Sequence, residues 1–211
     1  MFAGDGASSD SINGIVYIIN DFNNQNTNNK TFLNYSLTDK VNSKILSSQD
    51  VLIIPGGDFE IYISNPNIKS ADIKKFVSGG KGFVGICAGA YAASSYIDGY
   101  HAGWGIAPHI YSKFYNFDGQ LNVSFTSYGQ DILNYSDTKR LSVANGPSMY
   151  KEGSYTPLAR YNTITMHRGH AAILDDTYGS GRVIISSPHP ELYPRESGLL
   201  LKMILWASGK T

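Results

Sequence analysis

Two short apolar runs, each stopped by glycine, constrain the architecture more than any other feature of the chain. Val51-Leu-Ile-Ile54 follows Asp50 and halts at Pro55-Gly-Gly57; Gly82-Phe-Val-Gly-Ile86 halts at Cys87-Ala-Gly89. A run that is apolar at nearly every position suits a strand covered on both faces, as in a parallel sheet held between helices. Between the runs, Ile68, Ala71, Ile73, Phe76 and Val77 recur at helical spacing, up to Gly79-Gly80. After the second run, residues 88–96 have the small, helix-capable composition of a following helix. Strand, helix, strand, helix in units of this size imply parallel pairing with right-handed crossovers.

The flanking segments extend this plan. Ile12, Ile15, Val16, Ile19 and Phe22 predict a helix after a Ser/Asp-rich start suited to capping. Residues 23–29 read as a loop and 31–37 as a short strand. Residues 101–161 change texture: alternating segments at 121–128, 141–144 and 155–161 are separated by Gly, Asn and Pro. They predict antiparallel strands or hairpins added to an α/β core. Residues 182–187 form a last buried strand, and GLLLKMILWA at 198–207 a closing helix. No repeat or linker divides the 211 residues, so one domain over 1–211 is expected. Such a sheet normally opens with a strand, yet only Met1 to Ala3 precede the Gly-rich turn. The first strand is therefore expected to be very short, or trimmed away.

Charge and cysteine usage narrow the function. Seventeen basic and seventeen acidic side chains give a formal net charge of zero, which removes the basic footprint that nucleic-acid binding needs. No 18-residue apolar stretch is present, so no membrane span is expected. The single cysteine cannot form an internal disulfide, and the five histidines lack HExxH spacing. His167 and His170, in MHRGH, have no third ligand in sequence, so neither a metal nor a cofactor is expected. Asn34, Asn122 and Asn134 begin formal N-glycosylation sequons, of the kind chance supplies in an Asn-rich chain. The compartment stays open: cytoplasmic by default, exported if a leading segment was removed.

Gly85-Ile86-Cys87-Ala88-Gly89 fits G-x-C-x-G, the cysteine form of a nucleophile elbow between a buried strand and a helix. Glycines on either side let backbones pass closely in a strained turn, and free amides at a helix start favour a thiolate. The plainer reading is a small buried core cysteine. A nucleophile needs a base, and His189, with Glu191 two residues on in Pro188-His-Pro-Glu191, follows the last buried strand. His189 would take the thiol proton while Glu191 orients the imidazole. Backbone N–H groups of Gly56, Gly57 and Ala88 are natural oxyanion donors. Taken alone, the histidine is only a loop residue beside proline and PGG only a turn.

IIPGGD at 53–58, FVGICAGAY at 83–91 and SSPHPE at 186–191, in this order, resemble the class I glutamine amidotransferase-like superfamily. GDGASSDS near the start, ANGPSMY at 144–150 and LARY before YGSGRVIISSPHPE resemble more closely the amidotransferase-like domain at the N-terminus of biotin-protein ligases. The resemblance implies a flavodoxin-like three-layer sandwich with a mostly parallel central sheet. It also implies a Cys87-His189-Glu191 triad, with Gly57 and Ala88 holding the oxyanion. Two positions depart from relatives: Tyr91 stands where glutaminases carry Gln, and Ala88 where DJ-1-like proteins carry His. Acyl transfer or hydrolysis on a small amide is the leading expectation, with a small-molecule substrate and either a protein partner or a second copy of the chain. A non-catalytic binding or regulatory module, or a DJ-1-like redox or glyoxalase role, competes with it. Tyr91, Tyr100, His101, Trp104 and Asn145 are candidate pocket walls on position alone.

Overall fold

A computed structural model describes residues 1–25, 32–99, 101–162 and 171–210. The first part of the chain runs α1 (Ser9–Gln25), α2 (Ser43–Leu46), β1 (Val51–Ile54), α3 (Phe59–Ser64), α4 (Ser70–Ser78), β2 (Gly82–Ile86) and α5 (Ala88–Ala93). Strands then dominate: β3 (Ser94–Ile97), β4 (His101–Ala102), β5 (Ala107–Lys113) and β6 (Asp118–Phe125), followed by α6 (Ser127–Leu133). The chain closes with β7 (Thr138–Ala144), β8 (Ser148–Lys151), β9 (Ala159–Tyr161), β10 (Ala171–Tyr178), β11 (Gly181–Ser186) and α7 (Ser197–Ser208).

The two apolar runs lie side by side, as expected. β2 pairs parallel with β1 on one side and with β11 on the other, and β3 pairs parallel with β5. The sheet order is β1-β2-β11-β10-β8-β5-β3-β4, and β9 carries the antiparallel β6–β7 pair, connected through α6, off β10. Alternation along the central strands serves two cores. Ile53, Val84, Ile86 and Ile184 face the layer of α1 and α7, where Ile15, Ile18, Leu200 and Met203 pack. Leu52, Ile54, Phe83, Val183 and Ile185 face the opposite layer, with Leu46, Tyr62, Ile73 and Val77 from α2, α3 and α4. This is the expected α/β three-layer sandwich with antiparallel additions.

Several local expectations change. Residues 32–37 form no strand; the chain start instead makes a single bridge, Phe2 to Thr38, while Phe2 N–H donates to Ile53 O at 3.0 Å on the rim of β1. The opening strand is thus reduced to one bridged residue. The helix after Cys87 stops at Ala93, and residues 94–97 become β3, because Trp104 N–H takes the Ala92 carbonyl at 2.6 Å and Tyr96 and Ile97 favour a strand. The segment at 121–128 divides: Thr126 caps α6 by accepting from Gly129 N–H. In 155–161 only Ala159–Tyr161 is strand. No helix among the described residues is long and apolar enough to cross a membrane. Residues 23–25, expected to begin a loop, instead form the end of α1; residues 26–29, Tyr100, His167 and His170 lie outside the described residues.

Candidate functional site

The β2–α5 junction explains the glycines of G-x-C-x-G. A Cβ on Gly85 would sit 2.7 Å from the Gly89 carbonyl, and one on Gly89 would collide with the Ile54 carbonyl of β1. Only with bare backbone on both sides does the helix start so close to the sheet. Cys87 itself takes φ 50° and ψ −105°, a left-handed conformation rare outside glycine. The turn is held because Cys87 N–H donates to Ser186 O of β11 at 2.8 Å, while its own carbonyl accepts from Ala90 and Tyr91 N–H. Its Sγ lies 3.5 Å from the Ala144 carbonyl. Cys87 is a buried free thiol, but one that lines a cavity of about 360 Å³ together with Gly57, Ala88, Tyr91 and Asn145.

The end of β11 brings His189 and Glu191 to the same sheet edge. His189 N–H donates to Ser142 O at 2.8 Å, which fixes the backbone, and its Nδ1 lies 2.8 Å from Glu191 Oε1. Both side chains are buried, Glu191 completely. Nε2, the other ring nitrogen, has no hydrogen-bond partner, and neither has Glu191 Oε2. Burial alone would lower the imidazole pKa, but the Glu191 carboxylate and the adjacent Cys87 sulfur outweigh it and raise it to about 10. The Glu191 carboxylate therefore favours the protonated ring. Such a pair can orient a proton toward a neighbouring sulfur or leaving group.

Ser11, in the first turn of α1, joins the candidate site although no motif in the sequence pointed to it. Its hydroxyl donates to Glu191 Oε1 at 2.6 Å and accepts from Gly56 N–H at 3.0 Å, with no solvent exposure. A signal was present: Ser11 shares the helix face of Ile15 and Ile18, where an apolar residue is the rule. The Gly56 amide is thereby engaged by Ser11 rather than free for an oxyanion, a correction to the expected donor set. The N–H groups of Gly57 and Ala88 have no hydrogen-bond partner among the described residues, and both residues line the cavity. The GDGASS turn braces the same loop: Ser8 N–H donates to Gly56 O and Asp58 N–H to Gly6 O. Tyr62 Oη donates to the Pro55 and Gly56 carbonyls from below, both at 3.2 Å.

Of the candidate pocket walls, Tyr91 and Asn145 border the cavity, and Asn145 has φ 54°. Trp104 does not; it is buried beside Tyr62, 6.5 Å between ring centroids. His101 is exposed on β4 at the far end of the sheet order and also lies outside the cavity lining. Phe59, Phe114, Asp58 and Glu60 line the cavity without having been anticipated.

Residues 1–103 match the family model for the N-terminal region of biotin-protein ligase. Curated proteins give no significant match to the chain. Among solved structures, a glutamine amidotransferase superposes with TM-score 0.62 at 18% identity, over 84% of this chain and 87% of that one. PurLQS from Thermotoga maritima gives 0.63 at 16% identity, over 97% and 95%. A Thermoplasma acidophilum protein assigned to GMP synthase gives 0.64 at 12% identity, over 99% and 93%. The first 103 residues are thus similar to the N-terminal region of biotin-protein ligase, and the described residues have the fold of glutamine amidotransferase-type proteins.

Proposed function

We propose that the chain is a cysteine-dependent acyl-transfer enzyme that cleaves a small amide or a related acyl donor. One observation carries the reading. A cysteine forced into a left-handed turn borders a cavity, next to a buried histidine–carboxylate pair whose outer nitrogen is unpartnered. Backbone strain of this kind persists where surrounding contacts enforce it and clusters at working sites. In the proposed reaction the Cys87 thiolate attacks the carbonyl carbon, and the Gly57 and Ala88 amides receive the oxyanion. The tetrahedral adduct collapses with cleavage of the C–N bond, the leaving amine taking a proton from His189. Water then attacks the thioester, His189 accepts its proton, and the C–S bond breaks to release the acid and regenerate the thiolate beside the protonated imidazole. Glu191 holds the imidazole through Nδ1.

A second reading has an observation of its own. Tyr91, where glutaminases carry Gln, stacks on Phe59 at 4.8 Å, and an aromatic wall of this kind also suits a non-catalytic binding module. Iodoacetamide separates the two. Under the proposal Cys87 is alkylated at neutral pH at least tenfold faster than free cysteine, and Cys87→Ala abolishes turnover in a panel of small amides. Alkylation no faster than free cysteine, or full turnover by Cys87→Ala, overturns it.

A further inference from the structure

We infer that the cavity over Cys87 selects acyl donors that bring positive charge or none, beside an apolar group, and turns away anionic ones. This rests on the acyl-transfer reading above and names its substrate class. The charged side chains lining the cavity are Asp58 and Glu60, both acidic and both exposed at its rim. Asp58 is fixed there as the cap of α3, its Oδ1 accepting from Glu60 N–H at 2.9 Å and Ile61 N–H at 3.2 Å. Formal net charge over the whole chain is zero, so the field at this rim is local rather than a reflection of a charged molecule.

The opposite requirement comes from the wall. Phe59 stacks on Tyr91, and Phe114 leans on both rings at 5.6 and 5.7 Å. Three rings in contact, inclined to one another by 28–49°, offer an apolar wall against which an apolar acyl group packs. The Tyr91 hydroxyl, on a side chain only 3% exposed, has no side-chain hydrogen-bond partner, which leaves a polar contact for a bound molecule. Two carboxylates several ångströms from an entering unit charge, largely in water and partly offset by the start of α3, favour a cation over an anion by roughly tenfold at low ionic strength.

Cys87 is the only cysteine, so mixed-disulfide formation read by intact mass reports on this cavity alone. The probes are 2-(trimethylammonio)ethyl, methyl and 2-sulfonatoethyl methanethiosulfonate, each rate being divided by that of the same reagent with 2-mercaptoethanol. The expected result is a cation-to-anion ratio of about ten that falls toward one in Asp58→Asn/Glu60→Gln and in high salt; asparagine keeps the helix cap. Equal rates for cation and anion, with the methyl reagent reacting, overturn the charge selection and leave the acyl-transfer reading standing. A ratio that persists in the double variant also overturns it, because the rim charges are then not its source. If the methyl reagent itself fails to modify Cys87, the cavity does not open onto the sulfur and both readings fall.

Discussion

Ser11→Ala removes one oxygen atom from the centre of the molecule, and the structure sets its cost. The hydroxyl makes two hydrogen bonds, to Glu191 Oε1 at 2.6 Å and from Gly56 N–H at 3.0 Å, both fully buried. Loss of a buried bond to a carboxylate costs about 1.5–3 kcal/mol, and leaving a buried N–H without a partner costs about 1–3 kcal/mol. The Gly56 loop keeps its other anchors, from Tyr62 and Ser8, so relaxation is limited and the lower halves of these ranges apply. The sum is about 3 kcal/mol, or roughly 10 °C in Tm for a chain of this length. Urea unfolding measures it as a fall in midpoint at unchanged m. Ser64→Ala is the matched control: its hydroxyl donates to the Glu60 carbonyl within a solvated helix, and its loss should cost under about 0.5 kcal/mol. If Ser11→Ala costs no more than Ser64→Ala, the hydroxyl does not tie the two loops together and its place in the site is refuted.

Two further outcomes follow from the same geometry. The His189 imidazole has its pKa raised in the fold from 6.5 to about 10, so the stability it contributes is fully present below pH 6.5 and is lost as pH rises toward 10. The stability gap between the parent chain and His189→Gln should therefore shrink between pH 6.5 and pH 10 in denaturant titrations; a constant or widening gap contradicts the charge assignment. The second outcome concerns strain at Cys87, with φ 50°. Cys87→Gly should unfold at a higher temperature than Cys87→Ala, by the equivalent of about 1 kcal/mol or more, because only glycine drops the Cβ that this backbone disfavours; equal melting temperatures would show the turn to be unstrained.

What was legible in the sequence follows from what local physics decides. β1, β2 and β11 announce themselves because a strand buried on both faces must be apolar throughout, α4 because an amphipathic helix must repeat near 3.6, and α7 through its apolar composition. The elbow is legible because Gly85 and Gly89 have a steric reason to be glycine that no neighbouring residue type would meet. Contacts between distant segments leave weaker marks. Nothing local distinguishes residues 94–97 as the end of a helix from a new strand; pairing with β5 and the Ala92–Trp104 hydrogen bond decide it. Phe59 and Phe114 lie far apart in sequence and meet each other and Tyr91 only in the fold. Trp104, which position alone suggested for the pocket, packs against Tyr62, since a large ring near the core is buried wherever space allows.

The arrangement of strands gives the site a dependence on both halves of the chain. The span that matches the biotin-protein ligase family ends at residue 103, and it supplies Ser11, the PGG loop and Cys87. His189 and Glu191 arrive from beyond it, carried by β11, which inserts parallel to β2 along Gly82–Ile86. That insertion does more than deliver the proposed base. Ser186, the last residue of β11, accepts the Cys87 N–H and so holds the strained turn that presents the sulfur. Ser11 closes the circuit from the other side, joining the carboxylate behind His189 to the loop before the cavity. The elbow, the base and the loop therefore share their supports, and a change at any one of them is felt at the other two. Sequence reading finds the three separately because each has its own short motif; the hydrogen bonds that make them one site belong to the folded chain.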